Sequence, residues 1–172
     1  AMRLGRIAHW NVLGGMPDDE DGRIVLWDGT RQGNAWKAFA TENAGHEIVT
    51  PSEWEKALAI GDAVIADPIA ARYLEGVKET AIEWAIGPRA CRSRPDILNP
   101  ERGILVDLKT TTDASVLGLQ RQSWKMAYHA QLAFYSDAAL FAGIDVREVY
   151  IIGVETHAPH AVTVLRLTDR VL

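Results

Sequence analysis

The chain has 172 residues, 48% of them hydrophobic and 24% charged, with a formal net charge of −5. That length and balance suit one folded domain with a core of its own and exclude a disordered chain. A single cysteine, Cys91, excludes an internal disulfide and a four-cysteine zinc or iron–sulfur centre, and no apolar run is long enough to cross a bilayer. A single domain over residues 1–172 in a reducing, cytoplasmic setting is the expectation. The net acidity argues mildly against a nucleic-acid partner. Locally, though, Arg89, Arg92, Arg94, Arg102, Lys109, Arg121 and Lys125 are expected to gather near the candidate site, while Asp18 to Asp21 form a separate acidic loop.

Ala1 to Leu13 reads as a helix with Leu4, Ile7 and Ala8 on one stripe. The pattern is helical from the first residue, so further sequence upstream is expected. Gly14 to Gly22 is a loop and Arg23 to Trp27 a short strand. A helix then runs from about Gln32 to Asn43, stopped by Gly45. Thr50-Pro51-Ser52-Glu53 combines an N-cap threonine, a proline in the first turn and the glutamate of a capping box, and opens a helix to about Ala66. Asp67-Pro68 starts a shorter helix ended by Gly76. From Ile82 the apolar period falls to two: Ile82, Trp84 and Ile86 alternate with Glu83 and Ala85, which predicts a strand carrying Glu83 on its other face.

Two further strands, Ala90 to Leu98 and Ile104 to Thr110, flank the turn Asn99-Pro100-Glu101-Arg102-Gly103. A long helical region follows to about Ala142, with Asp113 as its cap and room for a break near Ser123. Val146 to Glu155 and Ala161 to Leu167 make a closing hairpin around Ala158-Pro159. Helices, three antiparallel strands, a long helix and two more strands define an α/β sandwich.

The hairpin about Asn99 to Gly103 carries the chemistry. It sets Asp96 almost directly across from Asp107, with facing Cβ atoms about 5 Å apart. Alternation places Asp107 and Lys109 on one face and Val106 and Leu108 on the other. A surface hairpin with a cross-strand Asp–Lys pair would share this pattern, but Leu105, Val106 and Leu108 mark a buried strand, where unpaired acids are costly. Two such carboxylates repel unless a cation sits between them, and oxygen ligands suit Mg²⁺ or Mn²⁺. Glu83, on the neighbouring strand, could face the same patch or open water. His9 lies one helical turn after Gly5, whose lack of a side chain permits close backbone approach. Gln131 and Tyr135 are one turn apart with Tyr128 on the same side. His46, His129, His157 and His160 read as ordinary structural histidines, Trp10, Trp36, Trp54, Trp84 and Trp124 as packing residues, and Cys91 as a small buried hydrophobe.

Taken in order, His9, Arg94-Pro95-Asp96, Asp107-Leu108-Lys109 and Gln131-x3-Tyr135 resemble the PD-(D/E)XK nuclease superfamily in its RecB-like form. Cys91 to Asp96, Val106 to Thr111 and Tyr128 to Asp137 are similar to the nuclease domain of the RecE (exonuclease VIII) type and to related phage exodeoxyribonucleases, as is Arg31 to Trp36. The likeness spans Gly5 to Tyr135.

The resemblance implies a restriction-endonuclease-like core with a mixed central sheet. It implies that His9, Asp96, Asp107 and the backbone carbonyl of Leu108 bind Mg²⁺, with Mn²⁺ able to substitute. Lys109 would position or help deprotonate the attacking water. Gln131 and Tyr135 would lie beside the active site against the DNA backbone, and Glu83 would match an acidic position of the first core strand. The implied activity is 5′ to 3′ resection of linear double-stranded DNA from its ends in recombination or repair, beside a single-strand annealing recombinase, in a ring-like homo-oligomer with extensions at both chain ends. The alternatives are an endonuclease or single-strand nuclease of the same fold and a non-catalytic DNA-binding module. A module that had lost catalysis would be expected to lack an acid or the lysine, and all three are present.

Overall fold

The computed structural model describes residues 2–14 and 24–168. The acidic loop residues Asp18 to Asp21 lie outside the described residues. In chain order the elements are α1 (Met2–Leu13), β1 (Ile24–Leu26), α2 (Gly33–Glu42), β2 (Glu47–Val49), α3 (Pro51–Ala66), a 3₁₀ turn (Ala70–Tyr73), β3 (Val77–Lys78), β4 (Ile82–Ile86), β5 (Arg89–Ser93), β6 (Ile97–Asn99), β7 (Ile104–Thr111), α4 (Val116–Lys125), α5 (Tyr128–Phe141), β8 (Glu148–Glu155) and β9 (Val162–Leu167).

The central sheet has the order β3-β6-β7-β8-β9. All its pairings are antiparallel except β7 with β8, whose parallel register runs from Ile104↔Glu148 to Thr111↔Glu155. A parallel pair needs a long crossover, and α4 and α5 supply it. On one face Ala8 and Val12 of α1, with Ile60 and Val64 of α3, pack on Val106, Leu108, Ile152 and Val154. On the other, Leu119 of α4 with Tyr128, Leu132 and Ala139 of α5 covers Leu105, Val149 and Ile151. Strands covered on both sides read as nearly unbroken apolar runs, which is the pattern of β7 and β8. The result is a mixed α/β sandwich, as the sequence predicts.

The local cap signal holds at α3. Thr50 opens α3 with both halves of the capping box: the Glu53 N–H donates to Thr50 Oγ1 at 3.2 Å, and the Thr50 N–H to the Glu53 carboxylate at 2.8 Å.

Five expectations are corrected. The cap of α4 is Ser115, whose hydroxyl accepts from the Gly118 N–H at 3.1 Å, and not Asp113. The helix expected after Asp67 is only the 3₁₀ turn, begun by Asp67 Oδ1 accepting from the Ile69 and Ala70 N–H groups. The helical region after Asp113 breaks at Ala127, in the left-handed conformation (φ 53°), and not near Ser123. A strand not expected, β2, pairs parallel with β1 in a small separate sheet. Most consequentially, Ala90 to Leu98 is two strands: β5 folds back on β4 as an independent hairpin, and after Arg94-Pro95 the chain joins the central sheet as β6.

Candidate active site

Pro95 has no N–H to offer a sheet, and the chain leaves the sheet on its N-terminal side. Strand β6 is therefore three residues long and pairs with only the first half of β7, from Asn99↔Ile104 to Ile97↔Val106. The edge of β7 beyond Val106 is open on that side. The freed Leu108 N–H donates instead to Asp96 Oδ2 at 2.7 Å. Extending the register by one step sets Asp96 opposite Asp107. The same step on β3, paired Val77↔Leu98 and Lys78↔Ile97, sets Glu79 opposite Asp96, and the Glu79 N–H donates to the Asp96 carbonyl at 3.1 Å. Three acids thus form a row across adjoining strand ends.

Cations and an imidazole surround that row. Lys109 shares a face with Asp107. Its Nζ lies 2.5 Å from Asp107 Oδ2 and 4.8 Å from the centre of the Tyr128 ring. The contact with Asp107 is a close ion pair, and apart from that ammonium the buried Asp107 Oδ2 has no polar partner. Arg94 reaches Glu79 at 3.7 Å. His9 comes from α1, with Nδ1 3.7 Å from Asp96 Oδ2. Gly5 lets α1 come this near: a Cβ there would sit 2.9 Å from Thr110 Oγ1 of β7.

Burial sets the titration of the group. Asp107 is 1% exposed. Burial, and then the charge of Asp96, lifts its carboxyl to about 6. Burial likewise lifts Asp96 to about 6, against the Leu108 N–H and the Lys109 charge. Burial lowers the imidazole of His9. Burial alone would also lower the Lys109 ammonium, but the carboxylates beside it outweigh that and its pKa is raised. Two adjacent acids whose charged forms burial disfavours, Asp107 buried and Asp96 half-buried, are a donor set suited to a hard divalent cation. Among the described residues no three His, Cys, Asp or Glu side chains form a ready cage.

The row opens into a cleft of about 930 Å³, walled by Arg6, Trp10, His46, Arg94, Met126 and Tyr135 among others. His9, Asp96, Leu108 and Lys109 line it, with Asp107 buried beside Lys109. Gln131 stands behind Tyr135, donating from Nε2 to its hydroxyl at 2.9 Å.

Glu83 does not join them. It is exposed on the β4–β5 hairpin, paired with Arg92, and borders two other hollows. The acid beside Asp96 in the cleft lining is Glu79, with Glu47 also on the wall; sequence periodicity could not find Glu79 because it follows a strand, β3, of only two residues. The basic cluster also thins out. Arg89 and Arg92 ride on the hairpin, and Arg102 donates to the Arg72 carbonyl at 2.8 Å, whereas Arg94 and Lys109 face the cleft. Cys91 is half-buried. Trp124, expected in packing, is 62% exposed.

An opened sheet edge bearing Asp96, Asp107 and Lys109 between two helical layers is the PDDEXK-like nuclease fold. The chain belongs to the family described as PDDEXK-like domain of unknown function (DUF3799), whose model matches residues 26–172. No curated protein matches it. Its structure is similar to the crystal structure of a "Putative exonuclease" from Eubacterium rectale, with a TM-score of 0.69 at 15% sequence identity over 99% of this chain. The chain spans 60% of the length of that protein.

Proposed function

We propose that this protein is a divalent-metal-dependent deoxyribonuclease that degrades linear double-stranded DNA from its ends. The observation that carries the reading is the convergence of Asp96, Asp107 and Lys109 where β7 loses its neighbour. Asp96 and Asp107, with the Leu108 carbonyl and His9, would hold Mg²⁺, or Mn²⁺ in its place. That ion supplies a Lewis acid for the phosphodiester and neutralises the two acids. Lys109, charged and braced against Tyr128, orients the attacking water and stabilises the negative charge that grows on the phosphate oxygens. Arg94 and Arg6, which face the cleft acids Glu79 at 3.7 Å and Glu47 at 2.8 Å, are the guanidinium groups that would turn to the flanking phosphates. Gln131 holds the Tyr135 hydroxyl toward the same strand.

The likeness to RecE-type nucleases and the name of the Eubacterium rectale protein favour an exonuclease over an endonuclease. The same likeness favours 5′ to 3′ polarity, action beside a single-strand annealing recombinase, and a ring-like homo-oligomer.

Linear duplexes labelled separately at the 5′ and 3′ ends, and a closed circular duplex, test this in Mg²⁺ with an EDTA control. The expected result is early release of the 5′ label, an intact circle and no cleavage in EDTA. Cleavage of the circle would overturn the exonuclease assignment, and inertness on every substrate in both Mg²⁺ and Mn²⁺ would overturn the nuclease.

A further inference from the structure

Helix α4 turns an unusual face outward. Trp124 is 62% exposed, and Leu117, two turns earlier on the same stripe, is 55% exposed. Large apolar side chains grouped at a surface mark a contact site more often than a lone one does. The other side of the helix adjoins the cleft: Gln122 and, just past the helix end, Met126 line it, and so does Tyr128 across the turn at Ala127. The Trp124 ring is already packed on one neighbour, the imidazole of His129, with centroids 4.6 Å apart and a tilt of 50°. That contact holds the indole, while its high exposure leaves ring surface available.

Helix geometry, at about 100° per residue, places Arg121 and Lys125 between the cleft-facing Gln122 and the stripe of Leu117 and Trp124. Both are exposed. From the cleft outward the surface therefore runs from the Lys109 site to a pair of cations to a fixed indole. Cations that track a backbone beside an aromatic ring that accepts a base are the means by which proteins hold unpaired nucleotides. A second copy of this chain, net acidic, would have less reason to seek the two cations than a polyanion would.

We propose that the outer face of α4 is a binding track for unpaired nucleotides that continues the cleft, with Arg121 and Lys125 on the phosphates and a base stacked on Trp124. The track rests on the nuclease reading and adds to it the strand it would grip: single-stranded DNA next to the cleavage point.

The test is binding of a fluorescent oligothymidylate and a blunt duplex, measured by anisotropy in EDTA at low salt, where no cleavage occurs. Trp124→Ala is expected to weaken oligothymidylate binding about 5- to 100-fold. Blunt-duplex affinity should stay within about twofold, Trp124→Phe should keep most of the affinity, and an Arg121→Glu/Lys125→Glu variant should flatten the salt dependence. Unchanged oligothymidylate binding in Trp124→Ala, while the wild type still degrades duplex in Mg²⁺, would sink the track and leave the nuclease standing. Equal loss on both DNAs, or loss that coincides with a change of oligomeric state in sedimentation, would also overturn the track, the latter in favour of a second copy. A wild-type protein that neither binds nor cleaves any DNA would end both.

Discussion

Lys109 stands where one side chain decides the chemistry. Its ammonium touches only the Asp107 carboxylate and the Tyr128 ring, so Lys109→Ala is expected to fold and to lose cleavage by about 10²-fold or more. Circular dichroism and turnover of a labelled duplex would show the two outcomes separately. The acids bear differently on stability. A carboxyl raised to about 6 binds more protons in the folded chain than in the unfolded chain between about pH 4 and 6. Its contribution to stability is therefore present below that window and lost as pH rises through it. Asp96→Asn removes one such charge and keeps an oxygen to accept the Leu108 N–H. We expect the metal-free variant to be more stable than wild type at pH 8, by on the order of 1–3 kcal/mol, and the difference to vanish near pH 4. Urea midpoints at the two pH values measure it. A third comparison separates the two candidate glutamates: Glu79→Gln is expected to lower cleavage, and Glu83→Gln to leave it unchanged, in the same duplex assay.

Between elements the decisive contact is α1 on β7. His9 can face the acids only while α1 lies close, and Gly5 against Thr110 sets that distance. Gly5→Ala brings two opposed effects: a gain in helix propensity of about 1 kcal/mol, and a clash with the stiff Thr110 side chain, since overpacking costs about 1–3 kcal/mol. The clash is expected to win in the wild-type background and to disappear with Thr110→Ala. Gly5→Ala should therefore destabilise the first protein and stabilise the second, a sign change that a four-member mutant cycle of melting temperatures would reveal. The same approach carries His9, so Gly5→Ala alone should also weaken Mg²⁺ binding.

At the scale of the whole molecule, the site is a weak point that its ligand repairs. Two acids on the central sheet oppose each other until a cation arrives, so metal binding and folding are linked. At a hundredfold excess over its dissociation constant Mg²⁺ contributes about 2.7 kcal/mol, a rise of roughly 5–10 °C in melting temperature for a chain of this size. Asp107→Asn should abolish that rise, and a thermal melt with and without Mg²⁺ would show it. Among the described residues no helix is long and apolar enough to cross a membrane.

Much of this was legible along the chain because it depends on near neighbours. The α3 capping box, the apolar runs of β7 and β8, the final hairpin, and the pairing of Asp96 with Asp107 beside Lys109 follow from period, caps and turns, which act over a few residues. What the sequence left open was decided by partners distant in the chain. Only the assembled sheet shows that Pro95 separates β5 from β6, that Glu79 rather than Glu83 ends up beside Asp96, and that Trp124 faces outward. A strand's period says which side chains share a face, but the neighbour that covers or abandons that face comes from elsewhere in the fold.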